Sequence, residues 1–259
     1  MVMDYKKLFK TAMLAGQIMA QSGAETFRVE DTMNRILKIS GLQSVEIYAT
    51  TTGIVASLSD PTIESISGVR RINNRANNLN NINEVNQISR NLCDGKITVD
   101  EALDKLDNVQ TSVTYSKRVV AIATIISNAG FAGLFGGGIT ECLLAALNGV
   151  CIVFISRLLD ARIGSAFMVD AAKSFAIAFI TMIFARYLLN VNQEIVIIGS
   201  IMPLVPGIPI TNAIRDTLQG DYNSGTARAV EAFVISLAIA VGVGAGMGLF
   251  HLIEKVVSL

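Results

Sequence analysis

Apolar and polar positions change rhythm near Ser116. Before it, the apolar positions are periodic and sparse. Leu8, Ala12, Ala15 and Met19 recur at helical spacing across residues 5–21, and Val29, Met33 and Ile36 repeat that spacing in a second helix. Gly23 separates the two. VEIYAT (residues 45–50) alternates and GIVASL (53–58) is rich in β-formers, with Thr51-Thr52-Gly53 as the turn between two strands. Residues 63–72 add a third strand. The Asn-rich stretch 73–91 still carries an apolar stripe, Leu79, Ile82, Val85, Ile88 and Leu92, so its asparagines are read as a solvated helix face. Thr98 with Glu101 is a capping box that opens a short helix over 99–106. Together these elements predict a small α+β domain over residues 1–116.

Beyond residue 119 the periodicity gives way to near-continuous apolar runs. A spanning helix needs about 20 mostly apolar residues, and five segments are assigned as spans: 119–138, 139–155, 166–189, 195–214 and 232–250. The second carries only Glu141, and the third carries Asp170, Lys173 and Arg186. The expected fold class is therefore an α-helical membrane protein, with five transmembrane helices (residues 117–259) preceded by a small cytoplasmic α+β domain (1–116).

Lys and Arg in short loops set orientation. Lys117 and Arg118 precede the first span, Arg157 and Arg162 lie between the second and third, and Arg215 and Arg228 between the fourth and fifth. Arg186 and Lys255 go against the pattern. The expectation is a multi-pass protein of the cell (inner) membrane, with its N-terminal domain in the cytoplasm and its C-terminus outside. MVMDYKKLFK, at the start, is followed by no leader-like apolar core.

Composition agrees. Of 259 residues 51% are hydrophobic and only 16% charged, with zero formal net charge, against about 25% charged in average soluble domains. Nothing points to a nucleic-acid partner. Cys93, Cys142 and Cys151 form no CxxC, and His251 is the only histidine, which leaves no basis for a His-built metal site or a Ser/His/Asp triad within one chain.

Candidate chemistry in the apolar half centres on MPLVPGIPITNAIRD, residues 202–216. Proline has no N–H and clashes with the preceding turn, so Pro203, Pro206 and Pro209, with Gly207, are expected to break the helix. Discontinuous helices form solute sites in transporters, and polar Thr211, Asn212, Arg215 and Asp216 follow directly. The candidate substrate-binding set is Asn128, Pro203, Pro206, Gly207, Pro209, Thr211, Asn212 and Arg215. Asp170 and Asp216 are candidates for ion coupling, since intramembrane ionisable groups are functional hypotheses by default. Asp170 and Lys173 also share a helix face and are placed to pair. Asn148 lies mid-span in the second segment. The glycines of 130–138 and 242–248 are read as close-packing positions, with the GLFGGG end of the first span unwinding as the alternative.

In the polar half, GAETFRVED (residues 23–31) gathers Glu25, Arg28, Glu30 and Asp31. Carboxylates beside a threonine suit hydrolysis, whereas Glu25 and Arg28 also form an ordinary i, i+3 pair.

GAETFRVEDTM, TTGIVASLSD, RRINNRANNLNNINEVNQISR, MPLVPGIPITNAIRD and GDYNSGTARAVEA (220–232), in this order and spacing, resemble the threonine/serine exporter family over nearly the whole chain. The resemblance implies a transporter rather than an enzyme, exporting small polar metabolites: threonine and serine in one branch, succinate in another. It also implies the larger component of the family's split, two-component form, acting with a short membrane partner, although two copies of this chain would equally close a pathway. No P-loop is visible, which favours secondary transport. The alternatives are a membrane-anchored hydrolase built on Glu25, Glu30 and Asp31, and a non-transporting membrane scaffold.

Overall fold

A computed structural model describes residues 4–73, 75–112, 115–159, 165–187 and 191–257. The chain divides into two compact units: Met1–Thr114 with Ile208–Val230, and Tyr115–Gly207 with Glu231–Leu259. The first unit thus takes in a segment, Ile208–Val230, that lies inside the apolar half of the sequence.

The first unit is built on α1 (Tyr5–Gln21). Its stripe residues Leu8, Ala12, Ala15 and Met19 are all fully buried. Asp4 caps its start by accepting the Lys7 N–H at 3.0 Å. Helix α2 (Thr26–Lys38) lies close against it: a Cβ on Gly16 would sit 2.2 Å from Met33 Sδ, so a larger residue there would force the Met33 side chain to move. Three antiparallel strands follow in the order β1 (Ser44–Ala49), β2 (Gly53–Asp60), β3 (Ile63–Arg71). The expected turn closes the first hairpin, the Thr50 N–H donating to Gly53 O at 2.8 Å. Ile54, Ala56 and Leu58 point into the core while Val55 is exposed, the alternation of a one-sided sheet. Helix α3 (Leu79–Cys93) buries Ile82, Val85, Ile88 and Leu92 but leaves Leu79 exposed. Helix α4 (Val99–Thr111) carries the capping box at Thr98 and Glu101, with both of its reciprocal bonds, and runs five residues beyond the expected end at 106.

The second unit holds α5 (Lys117–Leu134), α6 (Ile139–Leu159), α7 (Ala166–Tyr187), α8 (Gln193–Ile201) and a 3-10 turn, Met202–Leu204. Helix α9 (Gly207–Leu218) falls almost wholly in the first unit, and α10 (Tyr222–Val257) begins there and ends in the second.

The expected count of five spans is not confirmed. Among the described residues three helices, α6, α7 and α10, are long and apolar enough to cross a membrane, and a fourth joins them if the bent pair of α8 with its 3-10 turn and α9 is one span. Helix α5 is not among these. It has 18 residues, at the short end of the spanning range, and opens on Lys117 and Arg118; it ends at Leu134, where Gly136, at φ +86°, turns the chain. Of the GLFGGG glycines, Gly133 lies in the last turn of α5 and Gly136, Gly137 and Gly138 lie beyond the helix end. The fifth expected span, 232–250, is the middle of a helix that starts ten residues earlier. Arg162 and residues 188–189 of the expected third span lie outside the described residues.

Only 22–33% of each spanning window is buried within the protein, which leaves most of its apolar surface for lipid. Small residues bring the helices together. A Cβ on Gly199 would lie 2.6 Å from Ala132 N, one on Gly149 2.8 Å from Ile125 Cα, and one on Gly242 2.3 Å from Ala171 O. Backbones packed this closely are the usual solution where lipid supplies no hydrophobic drive between helices.

Candidate functional site

Two buried polar clusters stand out, one in each unit. The first is built around the α1–α2 turn. Gly23 takes φ +83° there, and the chain enters α2 through Glu25, whose side chain makes no capping bond. The first amides of a helix need acceptors. Asp216, 190 residues along the chain, supplies one: its Oδ1 accepts the Thr26 N–H at 3.0 Å and its Oδ2 the Thr26 hydroxyl at 3.3 Å. It acts as an N-cap delivered from α9. A carboxylate there also meets the positive end of the α2 dipole.

The rest of the cluster clamps the same turn. Asn212 Nδ2 donates to Gly23 O at 2.8 Å, and Arg228 donates to Ala24 O at 2.6 Å. Arg228 Nε also lies 2.9 Å from Asp216 Oδ2, an ion pair without the alignment of a hydrogen bond. Asp216 is fully buried and Arg228 nearly so. Arg215 pairs with Glu25 Oε1 at 2.5 Å, and Arg28 approaches Glu25 Oε2 at 3.4 Å. Burial alone would raise the Glu25 carboxyl. Its own backbone N–H, the Arg215 hydrogen bond and the two guanidinium charges outweigh that and hold it below the ordinary value. Gly225 lets α9 and the start of α10 close as a hairpin, since a Cβ there would fall 2.2 Å from Thr217 Oγ1.

The carboxylates considered for hydrolysis have separate partners. Glu25 serves the arginines, Glu30 accepts the Ala49 N–H at 2.7 Å, and Asp31 pairs with Arg35 at 2.8 Å. Burial, with the Asp221 charge, pushes Glu30 up although the Ala49 N–H opposes it. Among the described residues no group of three or more His, Cys, Asp or Glu could hold a metal ion.

The second cluster lies in the apolar helices and carries no charge. Asn148 Nδ2 donates to Thr181 Oγ1 and to Ser200 Oγ, each at 3.0 Å, which ties α6 to α7 and α8. All three side chains are fully buried. Asn128 is also fully buried, beside Gly149, and neither its Nδ2 nor its Oδ1 meets a protein partner. Asn148 Oδ1 and Ser174 Oγ are equally unmatched. Orphaned polar atoms are costly inside a protein and call for a ligand or water. Elsewhere in these helices Glu141 accepts the Asn192 N–H at 3.0 Å, and Asp170 pairs with Lys173 at 3.5 Å.

The helix break lies between α8 and α9. Its turns are locally bonded, Val205 N–H to Met202 O and Gly207 N–H to Val205 O. The prolines have no N–H to offer. The boundary between the two units falls at Gly207/Ile208, directly after this break. Of the residues expected in one site, Asn128, Pro203, Pro206 and Gly207 belong to the second unit, and Pro209, Thr211, Asn212, Arg215 and Asp216 to the first. The sequence shows Thr26 only as the threonine beside the GAETFRVED carboxylates and Arg228 only as a loop charge, and it does not single out Thr181 or Ser200. A threonine or serine in a helical run carries no local sign of a distant partner.

Long apolar helices that bury a small uncharged polar cluster, together with an α+β unit, are the outline of a membrane protein. The chain matches the family described as "Putative threonine/serine exporter" over residues 10–250, and it belongs to that family. It is 23% identical over 236 residues to a "Probable threonine/serine exporter" of Mycobacterium tuberculosis, covering 90% of this chain and 44% of that protein. The chain thus spans less than half the length of this relative. It is 26% identical over 225 residues to the "Probable succinate transporter subunit YjjP" of Escherichia coli, covering 86% of this chain and 87% of that one. The protein of the same name from Klebsiella aerogenes is 25% identical over 225 residues, 84% of each. No solved structure matches the chain.

Proposed function

We propose that this protein is a subunit of a secondary exporter of small polar metabolites, either succinate-type dicarboxylates or threonine and serine, and that it acts with a short membrane partner of the same family. The observation that carries this reading is the uncharged polar interior of the apolar helices, with both polar atoms of Asn128 free of protein partners. An amide offers donors to a carboxylate and an acceptor to a hydroxyl or ammonium. The relatives support the rest: two carry the word subunit and the name of succinate, and a third the names of threonine and serine. In this reading the solute meets Asn128 and the carbonyls near Pro203 and Pro206. Asn212, Arg215, Asp216 and Arg228 hold the α1–α2 turn, with Pro209 and Thr211 at the start of the same helix. Asp170, half-buried beside Lys173, carries the coupling proton. The basic residues Lys117, Arg118 and Arg157 favour a cytoplasmic start to α5, in the inner membrane.

The test is uptake of labelled succinate, threonine and serine into proteoliposomes, with the chain alone and with the short partner. Flux in the mixture only, abolished by Asn128→Leu in a correctly folded protein, is the expected result. Flux from the chain alone would replace the partner with a second copy. No flux in either preparation, with both proteins folded, would overturn the exporter reading. Pro206→Ala with Gly207→Ala should favour a continuous helix, and full transport by that variant would remove the break from the site.

A further inference from the structure

A cavity apart from the buried amides combines two cations with an apolar wall. It has a volume of about 420 Å³ and sits between the start of α5 and the end of α6. These helices are consecutive and joined by a tight turn, so the first residues of one lie beside the last of the other. Lys117 and Arg157 line it together with Tyr115, Thr124 and Ser156. Its remaining wall is apolar: Val120, Ala121, Ile152 and Val153. The two cations are exposed, and among the described residues neither forms an ion pair. Elsewhere this protein does pair the basic side chains it buries, as at Arg228 with Asp216.

We infer that this cavity binds the headgroup of an anionic phospholipid. Charge complementarity selects an anion, and basic pockets between membrane helices near the lipid surface hold such headgroups. The hydroxyls of Tyr115 and Ser156 add donors for phosphate oxygens, whereas that of Thr124 donates to Val120 O at 2.9 Å. The apolar wall selects a lipid over a free solute. A small dicarboxylate has no chain to lay along Val120, Ala121, Ile152 and Val153, whereas an acyl chain continues from the headgroup along that face.

The experiment uses the full chain in phosphatidylcholine nanodiscs doped with phosphatidylglycerol, and reads bound lipid by native mass spectrometry. Preference for phosphatidylglycerol should fall about fivefold in Lys117→Ala and in Arg157→Ala, and about thirtyfold in the double variant. Lys117→Arg and Arg157→Lys should retain it. Arg118→Ala, beside the cavity but not lining it, should leave it unchanged. Thermal melting in pure phosphatidylcholine checks that each variant is folded. No preference in the parent protein would overturn the proposal. So would a preference that survives in the double variant, or one lost equally in Arg118→Ala, which would mean diffuse surface charge. Displacement of the lipid by succinate would make the cavity a solute site instead. None of these outcomes depends on flux, so lipid binding and the exporter reading fail separately.

Discussion

The two units bury polar groups by opposite rules. Around the α1–α2 turn the buried groups are charged, and each has its counterpart: Asp216 with Arg228 and Thr26, Glu25 with Arg215 and Arg28. Within the apolar helices the fully buried groups are amides and hydroxyls, and several of their atoms have no protein partner. A buried charge is tolerable only with a partner and hydrogen bonds. An amide has a smaller desolvation cost and is the cheaper way to keep polarity at membrane depth. The charged cluster is thus internally matched, and the neutral one keeps polar atoms without a protein partner.

The largest expected effect breaks this comparison on the charged side. Asp216→Ala removes the α2 cap and strands Arg228 without its counter-charge. Removing one partner of a buried pair costs about 3–5 kcal/mol, so the melting temperature of the detergent-purified protein should drop sharply. The paired change Asp216→Leu with Arg228→Met should recover part of the loss, because no unpaired charge remains. A double variant no more stable than Asp216→Ala would show that capping of Thr26, and not charge pairing, is the main contribution.

The next effect sharpens the neutral side. Gly242→Ala places a methyl against Ala171 O, where an ideal Cβ already falls at 2.3 Å. Helices α7 and α10 must separate, at about 1–3 kcal/mol. Gly244→Ala, with nothing within 4 Å of its Cβ, is the control and should melt like the parent. Smaller again is Asn148→Leu, which removes the bonds to Thr181 and Ser200. Such interhelical bonds average about 0.6 kcal/mol in a membrane protein, so a slight loss of stability is expected. A large drop in melting temperature would mean that the neutral cluster is structural after all.

Much of the first unit was legible because its signals are local. The bounds of α1, the hairpin at Thr51-Thr52 and the capping box at Thr98 all follow from spacing or turn chemistry within a few residues. The start of α10 was not. Residues 222–231 are polar and read as a loop, yet they are helical because Ser224 and Arg228 are buried within the first unit. The clamp was hidden for the same reason. GAET and TNAIRD both drew notice, but nothing in 190 residues of separation shows that Asp216 caps Thr26. The proline break was legible as a break. That it falls where the chain passes from one unit to the other is a tertiary fact.

The smallest effect distinguishes carboxylates within the first unit, and it lies in pH. Glu25 is depressed in the folded protein, where its own N–H and the arginine contacts outweigh burial. Glu30 is raised, chiefly by burial, with the Asp221 charge adding to it. Linkage gives the two opposite signs. The Glu25 contribution is full above the unfolded glutamate value and is lost as pH falls through the lower folded one. The Glu30 contribution is unfavourable at neutral pH, and is relieved as pH falls through the raised folded value toward the unfolded one. Stability should thus rise slightly on mild acidification and fall on further acidification. Melting curves across that range check this. Glu30→Gln should reduce the mild-acid rise, the remainder coming from Asp221, which burial and the Asp216 charge also push up. Glu25→Gln should flatten the later fall, leaving a protein less stable at neutral pH because Arg215 and Arg28 lose their shared carboxylate. A parent protein whose stability only declines from neutral pH downward would show that Glu30 is not held in its buried setting.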